Sequence, residues 1–134
     1  MRSLRAVTFT RSNFPIDSEH LAQLCAAFAA DKKAEDIVAL DMRGLASFTD
    51  FFLICSGNSE PHLKAIVGEI GDRLRKEHGV RPRRVDGFPQ SQWLVVDFAD
   101  VVVHIFHAEK RAFYSLEDLW SDAPRLKLGV PVAA

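Results

Sequence analysis

The residues of this 134-residue chain with a bearing on chemistry are five histidines, two cysteines and the run Ser56-Gly57-Asn58-Ser59. His104 and His107 are three apart, a spacing that chelates a metal on a helix, but they fall in an apolar run that reads as a strand. There an odd separation sends them to opposite faces. His20, His62 and His78 have no cysteine or acid at ligand spacing, so no metal site is expected. Cys25 and Cys55 each sit among apolar residues, which marks them as core thiols and not nucleophiles. Ser56-Gly57-Asn58-Ser59 joins a predicted strand to a predicted helix, where backbone N–H groups can hold a phosphate. Nucleotide-transferring enzymes pair such a Gly-Ser junction with strand acids that bind magnesium, and Asp97 and Asp100 are the available acids. Two acids that share a metal on a strand are two apart, whereas these are three apart across a turn. The plainer reading is that Asn58 and Ser59 cap a helix while Asp97 and Asp100 shape a hairpin turn. No catalytic group, cofactor or metal is expected.

The elements that must position these residues follow from periodicity. Asp17 or Ser18 caps a first helix with Leu21, Leu24, Cys25 and Phe28 on one face, fading near Lys32. Residues 37–40 form a continuous apolar run, the pattern of a strand buried on both faces. A second strand over residues 48–55 leads into a helix capped by Asn58 or Ser59. Leu63, Ile66, Val67, Ile70 and Leu74 form the buried stripe of that helix, and Gly79 ends it. Residues 81–92 read as a loop with one short edge strand near residues 84–88. Residues 93–98 and 101–107 form an antiparallel hairpin around Asp97-Phe98-Ala99-Asp100. A short helical piece over residues 109–114 follows. Ser115-Leu116-Glu117-Asp118 has the form of a capping box for another short helix. The order implies an α/β (α+β) fold, a small mixed sheet packed with helices in a single domain. Residues 15–124 are expected to form that domain, with residues 1–14 a loose extension and residues 125–134 a loose tail.

Composition narrows the function. Hydrophobic residues make up 48 % and charged residues 26 %, the profile of a globular protein. The longest apolar runs are too short to span a bilayer. Residues 1–14 carry three arginines and no acid, faintly like a transit peptide, but a cytoplasmic setting is expected. Residues 86–122 hold two bases against seven acids, a net charge of −5, and are rich in aromatics. That third would repel nucleic acid and attract a basic protein. A basic cluster at Arg73, Arg75, Lys76, Arg81, Arg83 and Arg84 reads either as a solvated helix end or as an auxiliary contact to RNA phosphates. Both faces of the hairpin are apolar. One packs on helices, while the other needs a cover, supplied by a partner or by the terminal helices.

Thr49-Asp50-Phe51-Phe52, Ser56-Gly57-Asn58-Ser59 with His62 and Ala65-Ile66, Trp93, the run from Asp97 to Phe106, and Phe113-Tyr114-Ser115-Leu116-Glu117 with Leu119-Trp120 together resemble the Iojap family, whose bacterial members are ribosomal silencing factors. The resemblance extends over residues 18–123. It implies a nucleotidyltransferase-like fold without transferase activity. It also implies binding to ribosomal protein fourteen of the large subunit, which obstructs joining of the small subunit and lowers translation when nutrients are scarce. The acidic, aromatic third suits such a basic partner. The expected partner-binding residues are Trp93, Leu94, Asp97, Phe98, Asp100, Phe106 and Tyr114. The free protein is expected to be a homodimer that hides an apolar face. The rival reading is a degenerate nucleotidyltransferase-like enzyme or nucleotide-binding protein.

Overall fold

The structure, a computed structural model, describes residues 16–87 and 92–130. The expected N-terminal extension therefore lies outside the described residues. Asp17 accepts a hydrogen bond from the His20 amide at 2.8 Å and opens α1 (Ser18–Asp31). Ser59 does the same for His62 at the start of α2 (Glu60–His78), and Gly79, at φ +67°, closes that helix in the left-handed conformation that glycine adopts without strain. The strands are β1 (Glu35–Asp41), β2 (Phe51–Gly57), β3 (Arg84–Gly87), β4 (Trp93–Asp97), β5 (Val101–His107) and β6 (Arg125–Leu126), with α3 (Ala108–Tyr114) and α4 (Leu116–Leu119) between the last two.

They form one six-stranded sheet in the order β3-β4-β5-β2-β1-β6. Among the described strands only β2 and β5 are parallel, in register from Phe51 opposite Val101 to Gly57 opposite His107. The other neighbours are antiparallel, so the sheet is mixed as expected. The expected stripes of α1 and α2 cover one face. Leu21, Cys25, Phe28, Leu63, Ile66, Ile70 and Leu74 meet Phe51, Leu53, Cys55, Val101, Val103 and Ile105 there. Arg73 ties the two helices together through Asp31 on α1 and Glu69 and Glu77 on α2. The other face carries a second core of Leu40, Met42, Phe52, Ile54, Val102 and Phe106, covered in part by Leu116 and Ala123.

Four expectations need correction. The strand expected over residues 48–55 begins at Phe51, because the Thr49 hydroxyl turns back to donate to the Phe51 carbonyl at 3.2 Å and leaves Phe48 in an exposed loop. The run 37–40 is buried only at Ala39 and Leu40, since β1 lies one strand from the edge and β6 covers just two of its residues. Ser115 makes no capping box. It takes φ +50°, ends α3, and its hydroxyl donates to the Ala112 carbonyl. The segment expected to be a loose tail contributes β6, and Leu126, Leu128 and Val130 pack against the helix-side core. Gln23 fixes that segment by donating to the Lys127 carbonyl at 2.7 Å and accepting from the Gly129 amide at 3.0 Å. Residues 131–134 lie outside the described residues.

Candidate docking interface

The β4–β5 hairpin sorts the seven expected partner-binding residues by the alternation of a strand. Trp93, Phe106 and Tyr114 come together on the face away from α1 and α2. The Trp93 ring centroid lies 4.9 Å from that of Phe106 and 4.8 Å from that of Tyr114. Leu94 and Phe98 point the other way and are buried in the helix-side core, so they are not available to a partner. Phe106 is also fully buried, beneath Trp93 and Tyr114. Asp97 is half-buried and engaged twice: it accepts from the Ala99 amide at 2.7 Å and pairs with Arg83 at 3.1 Å. It therefore shapes the turn, where Ala99 takes φ +73°. Asp100 is exposed in the same turn.

The open face extends well beyond those three rings. From Tyr114 the aromatic belt continues outward to Phe113, at 5.2 Å, which is 75 % exposed. In the other direction it runs from Trp93 through His104 to Phe52, and on to Trp120 at 6.1 Å and Phe48 at 5.9 Å. Leu119, beside Trp120, is 73 % exposed, and Phe48 is exposed too. The terminal helices are thus a partial cover that presents apolar side chains of its own. Among the sequence signals, Phe113, Leu119 and Trp120 could have been singled out. Phe113, Leu119 and Trp120 are large apolar residues on helical pieces too short to show a buried stripe, and Phe48 is hidden by its place in the expected strand.

His104 sits at the centre of this belt. Its Nδ1 accepts a hydrogen bond from the Trp93 indole N–H at 3.1 Å. Burial disfavours the charged ring and pulls its pKa down to about 4, so the imidazole is neutral at physiological pH. His107 points to the opposite side and caps α3, its Nδ1 accepting from the Glu109 amide at 3.2 Å. The two do not converge. Among the described residues no group of three His, Cys, Asp or Glu side chains is placed to hold a metal ion.

The Ser56-Gly57-Asn58-Ser59 junction is closed by the protein itself. His62 Nδ1 accepts from the Asn58 amide at 3.0 Å, and its Nε2 donates to the Lys32 carbonyl at 2.7 Å. Gly57 is packed so closely that a Cβ there would lie 2.7 Å from Leu63 and 3.0 Å from His62. On the other side the Arg111 guanidinium donates to the Ser56 hydroxyl at 2.9 Å. The strand register also separates this junction from the acids. Ser56 is level with Phe106, whereas Asp97 is level with Val102. They are offset by four residue steps along β5, roughly 13 Å at about 3.3 Å per residue. A transferase site that joins phosphate to strand-bound magnesium is not assembled from these groups.

Several of the remaining sequence signals find partners within the fold. Cys25 and Cys55 are fully buried, and burial pushes both thiols up, which makes them poor nucleophiles. In the basic cluster, Arg75, Arg83 and Arg84 each have a carboxylate within salt-bridge distance, as Arg73 has. Among the described residues no helix is long and apolar enough to cross a membrane.

The fold and this face define a mixed α+β protein whose built feature is a partly open aromatic surface, with its strand-to-helix junction filled by its own side chains. Residues 15–133 match the family model described as "Ribosomal silencing factor during starvation". Ribosomal silencing factor RsfS of Halalkalibacterium halodurans is 45 % identical over 113 residues, covering 84 % of this chain and 96 % of that protein. The chloroplastic protein Iojap of Arabidopsis thaliana is 38 % identical over 114 residues, covering 84 % of this chain and 47 % of that longer protein. A crystal structure from Bacillus halodurans, 45 % identical, superposes with a TM-score of 0.69 over 81 % of this chain and 97 % of that one. The chain belongs to the ribosomal silencing factor family.

Proposed function

We propose that this protein silences translation by docking on ribosomal protein fourteen of the large subunit, where it obstructs joining of the small subunit. The observation that carries this reading is the aromatic belt from Phe113 through Tyr114, Trp93 and His104 to Phe52 and Trp120, only partly covered, on a segment with a net charge of −5 over residues 86–122. Apolar rings supply contact area and acids steer a basic partner and fix its orientation. Trp93, Tyr114 and Asp100 are the residues of the expected set that can reach a partner. The basic end of α2 with Arg81 and Arg84 is proposed as an auxiliary contact to ribosomal RNA, along the β3 edge of the sheet. In the free state the same aromatic face is proposed to pair two copies in the cytoplasm, so that the ribosome competes with the dimer.

Trp93→Ala tests the docking. Truncating an aromatic at the centre of an interface costs about 2 kcal/mol or more, roughly a thirtyfold loss of affinity. The variant should keep a cooperative melting transition and lose co-sedimentation with purified large subunits, and subunit joining in its presence should recover. A folded variant that still co-sediments as the parent does would move the interface elsewhere.

A further inference from the structure

A histidine buried in the middle of a strand is costly unless both ring nitrogens find partners. His104 is 6 % exposed, yet its Nε2 has no hydrogen-bond partner among the described residues. Its Nδ1 accepts from Trp93, so the proton of the neutral ring resides on that orphaned Nε2. Leucine would fill a similar space beside Phe52 and Phe106 with no polar atom of its own to satisfy. What leucine lacks is the acceptor aimed at the Trp93 indole.

That acceptor sets something the surrounding rings do not. Phe106 and Tyr114 flank Trp93 and limit the tilt of its plane. A half-turn about the terminal torsion of an indole keeps the plane and reverses its edges, since that torsion is broad and roughly two-fold. The Trp93 N–H is drawn to 3.1 Å from His104, which selects one of the two and fixes which indole edge faces outward. We propose that His104 is a positioning residue for docking, holding the Trp93 indole in a single orientation before a partner arrives. The stability given up at Nε2 is offset by a side chain that need not be ordered on binding. This inference rests on the reading of Trp93 as part of the docking face.

The test uses the full chain, with His104→Leu and His104→Asn compared to the parent and to Trp93→Ala. Asparagine places its Oδ1 where the Nδ1 of histidine stands, so it keeps the acceptor. Three quantities are measured: the thermal midpoint, the indole N–H resonances by nitrogen-15 NMR (assigned with a Trp120→Phe sample), and affinity for large subunits by co-sedimentation. His104→Leu is expected to keep or raise the midpoint, shift the Trp93 N–H resonance upfield, and weaken binding roughly fivefold, the scale of one hydrogen bond. His104→Asn should restore the resonance and most of the affinity. Binding losses that are equal in the two variants, or that only track a falling midpoint, would make His104 a packing residue and overturn the proposal. Unchanged binding in His104→Leu while Trp93→Ala loses it would overturn the proposal alone. Unchanged binding in a folded Trp93→Ala would overturn the placement of Trp93 in the docking face, and the proposal with it.

Discussion

Arg111 and Glu117 are joined by two parallel hydrogen bonds, Nε to Oε1 at 3.0 Å and Nη2 to Oε2 at 2.9 Å, while a third guanidinium N–H reaches Ser56 on β2. The Arg111 side chain is 12 % exposed and that of Glu117 25 %. Helices of seven and four residues are too short to hold themselves, so tertiary ties must fix α3 and α4 to the sheet. This fork is such a tie, and it seats Tyr114 beside Trp93.

Glu117→Gln should therefore loosen α3 and α4. Leaving a partly buried guanidinium short of its charge partner is expected to cost about 2 kcal/mol, below the range for a fully buried pair. The hydrogen bonds from Arg111 hold the Glu117 carboxyl below its ordinary value. Its contribution is then present above the ordinary carboxylate pKa and is lost as pH falls through the lower folded value. Thermal melts of parent and variant should differ at neutral pH and converge in acid. A difference that persists unchanged into strong acid would show that the charge on Glu117 is not what matters.

His104 gives a second pH dependence, in a higher window. Its folded pKa is about 4 against an ordinary 6.5, so between those values the unfolded chain binds the extra proton. Stability is full above about pH 6.5, declines as pH falls toward 4, and loses nothing further from this group below that. At 1.36 kcal/mol per unit the loss is at most about 3 kcal/mol. Chemical denaturation of the parent from pH 7 to pH 4.5 should show the decline, and His104→Leu should flatten it. A slope of the same size in both proteins would assign the decline to other groups.

Much of this fold is legible in the sequence because its periodicities are unmixed. The 3.6-residue stripes of α1 and α2, the capping Asp17 and Ser59, and Gly79 all act locally, and the structure keeps each of them. The segment after Pro124 was harder to read. Leu126, Leu128 and Val130 alternate as a strand does, but three apolar residues near a chain end do not identify the surface they cover. Ser115 fits a capping box with Asp118 by spacing, yet it ends α3 in the left-handed region and its hydroxyl donates to the Ala112 carbonyl, so the preceding helix claims the cap. At the aromatic face, residue type points to Trp93 and Tyr114. Strand parity alone separates Trp93 from Leu94, and it should have removed Leu94 and Phe98 from the expected interface.

Phe113 and Leu119 provide the remaining test of that face. They are 75 % and 73 % exposed, on two short helices that contribute few other contacts to the sheet. Lys110 lies over the Phe113 ring, its Nζ 5.4 Å from the centroid, which screens part of one side. Neither side chain is buried, so neither supports the fold by packing, and changes at such positions usually stay within about 0.5 kcal/mol. Large apolar residues held in water beside a half-open aromatic belt are the pattern of a contact surface. Phe113→Ser combined with Leu119→Ser should leave the thermal midpoint within a few degrees of the parent. Co-sedimentation with large subunits should weaken by at least tenfold, the scale of losing two rim anchors at about 0.7 kcal/mol each. Light scattering at micromolar concentration should show the same double variant shifted toward monomer. A stable variant that binds and associates like the parent would confine the contact surface to the Trp93–Tyr114 end of the belt, whereas one that melts early would show that these side chains serve the fold after all.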